Sequence, residues 1–239
     1  MRINWNHIKC FALMLVAVFL FAFASKRNAA RIVSKPKVEF MGGENLFVST
    51  ETVSKLLIQN FGNAQNVTKE ALDLNDLEQA LKSNPMIKTA EVYLAVNGEL
   101  TAKVEQKTPI ARVNTNAFYY IDEDGKYMPL SSNFSARVPL VTGYVEKNNL
   151  KNVYQVAKKI KADTFLNKHV IEINQSKDNG IGLKLRQCKF LVQLGDVKLL
   201  DKKINNLKAF YKKALKEKSL NQYSKVNLQF DNQVVCTKL

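Results

Sequence analysis

The chain opens with an apolar run that differs from everything after it. Residues 10–24 are 15 consecutive uncharged, apolar residues. As a helix this run covers about 22 Å, whereas the hydrocarbon core of a bilayer is about 30 Å thick. Flanking residues can extend the span to 6–25, and Lys9 can reach the headgroups with its long side chain. The pattern predicts a short cytoplasmic tail and one membrane helix within residues 1–25. The residues expected to anchor it in the lipid bilayer are Cys10, Phe11, Leu13, Leu15, Val18, Leu20 and Phe23.

The same segment also fits a cleaved secretory signal. Arg2 and Lys9 precede the apolar core, and residues 22–24 have the small-x-small form of a cleavage site after Ala24. Charge does not decide the orientation, because basic residues are more numerous after the apolar run than before it. Both interpretations carry the rest of the chain across the membrane. They differ in whether it stays tethered.

After a linker at residues 26–37, the patterning predicts a first folded unit over residues 38–113. Residues 37–48 favour a strand, a Gly42-Gly43 turn and a second extended piece. Ser49 or Thr50 can then cap a helix. A second helix is expected from Asn75, with Glu78 three positions later in a capping-box spacing. The first unit therefore begins as strand, helix, helix.

A β-hairpin closes this unit. Apolar residues alternate with polar ones over residues 90–96 and again over residues 100–104, and Asn97-Gly98 lies between the two runs. Pairing Val96 with Leu100 places both apolar sets on the same face, whereas a strict two-residue loop would place them on opposite faces. We therefore predict a three-residue or bulged turn at residues 97–99.

The remaining residues, 114–239, predict a second unit that mixes helices and strands. Helical spacing of apolar residues covers residues 149–162, and strands are expected at 169–175, 182–186 and 190–194. A lysine-rich helix follows Asp196, with Lys203 among the lysines assigned to its solvated face. In the last segment, residues 223–235, alternation directs Val226, Leu228 and Phe230 inward. The whole chain is thus of the α+β class, with a largely antiparallel second sheet.

Composition narrows the partner classes. The chain has 36 Lys and Arg against 21 Asp and Glu, a net charge of +15, which attracts nucleic acid, anionic lipid or acidic protein. The basic residues are scattered, and they lack the aromatic motif, zinc spacing or glycine-rich loop of a nucleic-acid-binding module. We therefore expect no nucleic acid partner and a solvated lysine surface facing an anionic membrane.

Candidate chemistry is sparse. Neither His7 nor His169 has a nucleophile motif beside it, and the acidic residues of 122–125 are explained by a turn. We expect no catalytic site, no cofactor or metal site and no small-molecule substrate. Cys188 and Cys236 are expected to be free thiols, although a bridge between them is an alternative in an oxidising compartment.

A family resemblance arises from three motifs in order. They are VEQKTPIAR at residues 104–112, YID with a following glycine at residues 120–125, and RVPLVTG at residues 137–143. Behind a single apolar segment and a strand-helix-helix-hairpin unit, this set resembles the FtsQ/DivIB cell-division proteins. The first unit resembles their polypeptide-transport-associated (POTRA) domain. Residues 114–239 resemble their β domain.

The resemblance implies a non-enzymatic scaffold of the cell-division machinery. Such a protein would sit in the inner membrane at the division septum, with its C-terminal domain in the periplasm. It would recruit FtsB/FtsL-like proteins, and FtsK-like or other division proteins as further partners, and the C-terminal edge strand would take the added strand. The residues expected there are Tyr223, Lys225, Val226, Asn227, Leu228, Gln229 and Phe230. The alternative is a secreted or envelope-bound module that binds an anionic polymer, which the net charge and the cleavage-site pattern support.

Overall fold

A computed structural model of the chain describes residues 5–29, 36–43, 45–61, 72–147, 149–231 and 233–239. The contacts divide the chain into two compact units, Met1–Gln106 and Lys107–Leu239. The α+β class is confirmed. The predicted boundary after residue 113 differs from the observed one because residues 109–114 pair within the second unit.

The N-terminal helix α1 spans Trp5–Ala29, 25 residues or about 37 Å. Side chains from Ile8 to Asn28 are all exposed, and this stretch is long and apolar enough to cross a membrane. Among the described residues, it is the one helix that meets this test. All seven predicted anchor residues lie on it, and the helix continues past the predicted end of the anchor at residue 25.

The rest of the first unit is a three-stranded sheet with two helices. Its elements are β1 (Lys37–Met41), α2 (Thr50–Phe61), α3 (Leu74–Lys82), β2 (Ile87–Leu94) and β3 (Leu100–Gln106). The predicted order of strand, helix, helix, strand, strand is confirmed. The strands lie in the order β1-β3-β2, with β1 parallel and β2 antiparallel to β3. The central strand is β3, whose Leu100, Ala102 and Val104 are fully buried.

Two local predictions in this unit were wrong in detail. The side chain that caps α3 is Asp73, which accepts the amides of Asn75 and Asp76, so the expected capping box does not form. The hairpin pairs Leu94, not Val96, with Leu100. Both pairings have the same parity, so the apolar faces still align. The Ala95 amide donates to Glu99 O at 2.9 Å, which leaves residues 96–98 as the three-residue loop.

A buried glutamine ties the loop before α2 to the end of β3. Gln106 Oε1 accepts the amides of Phe47 at 2.9 Å and Val48 at 3.0 Å, and Gln106 Nε2 donates to Val48 O at 2.8 Å. Three buried polar groups of the loop backbone are thus satisfied by one side chain, as burial requires. This residue, the glutamine of the VEQKTPIAR motif, fixes the path of the chain between β1 and α2.

The second unit is a nine-stranded mixed sheet with helices on one face. Its strands are β4 (Pro109–Asn114), β5 (Phe118–Asp122), β6 (Tyr127–Met128), β7 (Leu140–Gly143), β8 (Val170–Gln175), β9 (Ile181–Leu185), β10 (Leu191–Gly195), β11 (Tyr223–Asn227) and β12 (Val235–Lys238). They lie in the order β12-β11-β10-β9-β8-β7-β4-β5-β6. Five of the eight ladders among the described strands are antiparallel, so the predicted largely antiparallel character is confirmed.

The core of the second unit lies between this sheet and its helices, which are α4 (Lys151–Ala162), α5 (Thr164–His169) and α6 (Leu200–Lys216). Val156 of α4 and Leu207 of α6 are buried in one cluster with inward residues such as Val192. The short helix α5 was not predicted. Its N-cap is Asp163, which accepts the amides of Phe165 and Leu166, so His169 ends a helix instead of beginning a strand.

The start of the second unit is held by a buried carboxylate. Asp122 accepts the amides of Asp124 at 3.1 Å and Lys126 at 2.7 Å through Oδ1. Its Oδ2 makes no hydrogen bond within the described residues, but it lies 3.4 Å from Lys107 Nζ, an ion-pair distance. Because a lone buried charge is costly, this pair links the first residue of the unit to the turn between β5 and β6.

Candidate partner-binding edge of the nine-stranded sheet

The C-terminal strands form one end of the sheet. β11 runs parallel to β10, with Val192 opposite Val226, and antiparallel to β12, with Val226 opposite Cys236. The parallel step is made by α6, which crosses over between β10 and β11. Within the described residues β12 has β11 as its one neighbour, so β12 is the edge strand.

The direction of the backbone amides along this edge follows from one hydrogen bond. Leu228 donates its amide to Gln193 O at 2.9 Å, toward β10. Because amides alternate along a strand, those of Lys225 and Asn227 face β12. Thr237 and Val235, which lie opposite these two residues in the antiparallel ladder, direct their own amides and carbonyls toward β11. Cys236 therefore directs its amide and carbonyl away from the sheet, where a further strand would pair.

The residues that the sequence assigned to an edge strand occupy an inner position instead. Both sides of Tyr223–Asn227 are paired, and Leu228, Gln229 and Phe230 follow the strand. Val226 and Leu228 point inward as predicted, whereas Phe230 is 47% exposed and its inward assignment was wrong. The sequence correctly located the closing strand pair, but it missed that the edge is Val235–Lys238.

The surface around this edge is apolar and basic. Val235, which begins β12, and Leu239, which follows its last residue, are exposed apolar residues. Lys225 and Lys238 are exposed as well. A partner that pairs with β12 would therefore meet apolar area together with positive charge, and an acidic, partly apolar segment complements that surface.

A shallow groove of about 220 Å³ lies on the sheet face that the helices leave open. Asn174, Gly182 and Gln193 stand in register across three strands and line it, and Leu191 and Lys225 contribute to the lining. Within the described residues the buried Oε1 of Gln193 has no hydrogen-bond partner. The groove thus continues the exposed surface from the edge onto the face of the sheet.

A buried lysine supports the strand that carries this end of the sheet. Lys203 of α6 donates through Nζ to Leu194 O at 3.0 Å, Asp196 O at 2.8 Å and Asp196 Oδ1 at 2.6 Å. The hydrogen bond from Lys203 lowers the pKa of the Asp196 carboxyl. The sequence assigned Lys203 to the solvated face, which was wrong. A signal was present, since Lys203 lies one turn before Leu207 on the apolar stripe.

Aromatic rings join the same strands to α6. Phe210 lies edge-to-face against Phe190 at 5.8 Å and against Tyr223 at 5.4 Å between ring centroids. Such geometry adds to the apolar burial of each ring. Because Tyr223 begins β11, the contact with Phe210 holds β11 against α6, and β11 is the strand that pairs with β12.

The reactive side chains nearby do not form a catalytic arrangement. Cys188 and Cys236 are free thiols, and burial raises the pKa of both, which disfavours the nucleophilic thiolate. His169 packs against both Phe165 and Tyr211, at 4.7 and 5.0 Å between ring centroids. Burial lowers its pKa, and the nearby positive charges add to the effect. No cluster of His, Cys, Asp or Glu that could hold a metal ion occurs in the part of the chain that the structure describes.

Comparison with known proteins decides the family. Residues 108–237 match the FtsQ/DivIB, C-terminal related family, over more than half of the chain. The chain belongs to the FtsQ/DivIB family. Residues 42–105 match the POTRA-like domain, so the first unit of this FtsQ/DivIB protein contains a POTRA-like domain after α1. Both matched ranges agree with the observed junction between Gln106 and Lys107.

A named relative is the cell division protein FtsQ of Geotalea daltonii. It is 24% identical over 180 residues, which are 70% of this chain and 64% of the relative. The match thus spans less than two thirds of the relative's length. Together, α1 and membership of the FtsQ/DivIB family indicate a single-pass membrane protein.

Proposed function

We propose that this FtsQ/DivIB protein is a non-enzymatic scaffold of the cell-division machinery. In this proposal α1 holds it in the inner membrane, and the two folded units lie in the periplasm at the division septum. The protein recruits and positions FtsB/FtsL-like partners by binding them, without turnover. Family membership and the name of the Geotalea relative support a role in cell division.

The observation that carries the proposal is the unpaired side of β12 in the described structure. A strand whose outward amides and carbonyls have no neighbour is a template for β-augmentation, in which a partner adds a strand by main-chain hydrogen bonds. Cys236 supplies the central outward pair of backbone groups. Its side chain packs against the core, which holds that pair in place.

The partner's specificity would come from the side chains beside this ladder. Val235 and Thr237 flank Cys236 and are exposed, and Lys225 lies opposite Thr237 on β11. Alternate side chains of the added strand would lie over these positions, because strand side chains alternate between faces. The FtsB/FtsL-like partner is therefore expected to place an acidic side chain near Lys225.

The test is a proline substitution that removes the outward amide and leaves the β11–β12 ladder intact. Cys236→Pro should weaken binding of the FtsB/FtsL-like pair about tenfold or more, since each ladder bond contributes about 1 kcal/mol and the proline ring also crowds the edge. The matched control is Cys236→Ala, which removes the thiol and keeps the amide. It should bind like wild type. Binding is measured by calorimetry with the full chain in detergent micelles.

Two outcomes would count against strand addition at β12. Wild-type affinity of a Cys236→Pro protein with an unchanged circular dichroism spectrum would place the binding surface elsewhere. Equal weakening by Cys236→Ala would assign the effect to the side chain. Val226→Pro is not an edge test, because Val226 lies in a strand paired on both sides and proline there should disrupt folding.

The cellular role has its own test. A C-terminal fluorescent tag that folds in the periplasm should give a midcell band in dividing cells, with the original N-terminal region retained in the membrane fraction. A uniform envelope signal with a new N-terminus at Ser25 would instead favour the secreted module that binds an anionic polymer.

A further inference from the structure

Among the described strands, β2 is one of the two edge strands of the POTRA-like sheet, and a carboxylate accepts an outward-facing amide of this strand. In the described residues β2 pairs with β3 alone. The Ala95 amide points to β3, where it donates to Glu99 O at 2.9 Å. By alternation the amide of Val92 points away from β3, toward the open side of the sheet. It is there that Glu78 of α3 accepts it, through Oε1 at 3.0 Å.

The position of Glu78 is fixed by the helix that carries it. Leu77 and Leu81 of α3 are buried against the sheet, which sets the rotation of the helix. The second carboxylate oxygen of Glu78 pairs with Lys82 Nζ at 3.0 Å, one turn later. The hydrogen bond from the Val92 amide is the main cause of a lowered Glu78 pKa, and that from Lys82 adds to it. Both oxygens are therefore engaged, one on the strand and one on the helix.

We propose that Glu78, by accepting the outward amide of Val92, prevents β2 from pairing with a strand of a second copy of this protein. A strand that approaches β2 must take the Val92 amide from a charged acceptor, and hydrogen bonds to charged groups are stronger than those between peptide groups. The Glu78 carboxylate also lies where the backbone acceptor of an added strand would have to lie opposite Val92. Such protection of edge strands is a general need of β-sheet proteins.

The strand that Glu78 keeps from pairing with β2 is the β2 strand of a second copy of this protein. Two copies on the same membrane present the same eight-residue strand, and an antiparallel β2–β2 pair about a two-fold axis would be self-complementary. Among the described residues, no carboxylate accepts the outward amide of Cys236 on β12. The two edge strands therefore differ, because β2 has a side-chain acceptor on its outer side and β12 does not. The inference about β2 holds whether or not β12 binds a division protein.

The test compares three variants of the full chain in detergent micelles by sedimentation equilibrium. Glu78→Ala removes the acceptor and should shift the protein from monomer to dimer as its concentration rises. Glu78→Gln keeps a carbonyl oxygen at the same distance from the backbone of α3, so it should dimerise less than Glu78→Ala. Lys82→Ala removes the ion pair on the helix but keeps the contact with Val92, so it should remain monomeric. Any self-association of α1 is common to all variants.

Hydrogen exchange at the Val92 amide gives a second measurement that does not depend on dimer formation. At low protein concentration this amide should be protected in wild type and should exchange about tenfold faster or more in Glu78→Ala. Rapid exchange of Val92 in the wild-type protein would overturn the proposal. So would a folded Glu78→Ala protein that stays monomeric at the highest concentration reached, or a Lys82→Ala protein that dimerises equally well.

Discussion

Replacing Lys203 by methionine tests whether the buried ammonium holds the end of β10 to α6. The substitution keeps a similar length and apolar stem but removes the three donated hydrogen bonds to Leu194 and Asp196. The carbonyl of Leu194 is then left buried without that donor, which costs about 1–3 kcal/mol. Relief from burying the ammonium offsets part of the loss.

The expected net change follows from how each acceptor recovers. The Asp196 side chain is 60% exposed and regains water, so its loss contributes little. The two backbone carbonyls recover less, because the contact with Leu194 O is buried and that with Asp196 O is partly buried. We expect the free energy of unfolding of the second unit to fall by about 2–4 kcal/mol, or its urea midpoint by about 1–2 M.

The assay must report on the second unit alone. The chain's one tryptophan is Trp5 in α1, so tryptophan fluorescence does not follow this transition. Hydrogen exchange of the β10 amides during urea unfolding does. Lys212→Met, a change of an exposed lysine on the same helix, should alter stability by less than about 0.5 kcal/mol. A Lys203→Met protein as stable as that control would refute the reasoning.

The same substitution has a pH signature. The folded-state pKa of Asp196 is lowered by Lys203, so this carboxyl adds stability above its unfolded pKa, and that contribution is lost as pH falls through the folded pKa. The stability difference between wild type and Lys203→Met should therefore become smaller in acid, where Asp196 is protonated. The difference that remains there measures the hydrogen bonds to the backbone carbonyls.

Two further changes test the loop and strand geometry. Gln106→Ala should lower the stability of the POTRA-like domain by about 2–4 kcal/mol, because three buried hydrogen bonds to the loop before α2 are lost, and faster exchange of the Val48 amide would report it. Gly143→Ala should prevent normal folding of the second unit, since φ is +88° and an added Cβ would lie 2.2 Å from Gln175 O, as circular dichroism would show.

Both changes have matched controls. Gln79→Ala alters an exposed glutamine on α3 and should leave stability within about 0.5 kcal/mol of wild type. Gly182→Ala places its Cβ at an ordinary 3.6 Å from Val192 O and should be tolerated far better than Gly143→Ala. A stable Gly143→Ala protein, or a Gln106→Ala protein with unchanged exchange at Val48, would contradict the geometry described.

Local patterning predicted the elements well where their partners are near in sequence. The β2–β3 hairpin shows its own register through two alternating runs, and α6 shows its buried stripe through 3.6-residue spacing. The junction at residue 107 was missed because β4 looks like a continuation of the hairpin. Its neighbour β7 comes much later in the chain, and only that pairing assigns β4 to the second sheet.

The position of a strand within a sheet is also information that sequence lacks. Alternation correctly directed Val226 and Leu228 inward, but it cannot say how many neighbours β11 has. The parallel partner β10 lies beyond a whole helix, and β12 is only four residues long. Glu78 shows the same limit, since its capping-box spacing was real while its actual partner, Val92, lies in a different element.

The order of strands sets how mechanical load passes through the second unit. A pull on β12 that is resisted at β4 crosses six ladders, about 29 Å of sheet. The ladder between β4 and β7 holds just two residue pairs, Arg112 with Leu140 and Val113 with Val141. Of the six ladders it has the fewest residue pairs, so the contact between β4 and β7 is where the sheet would first separate under tension across the strands.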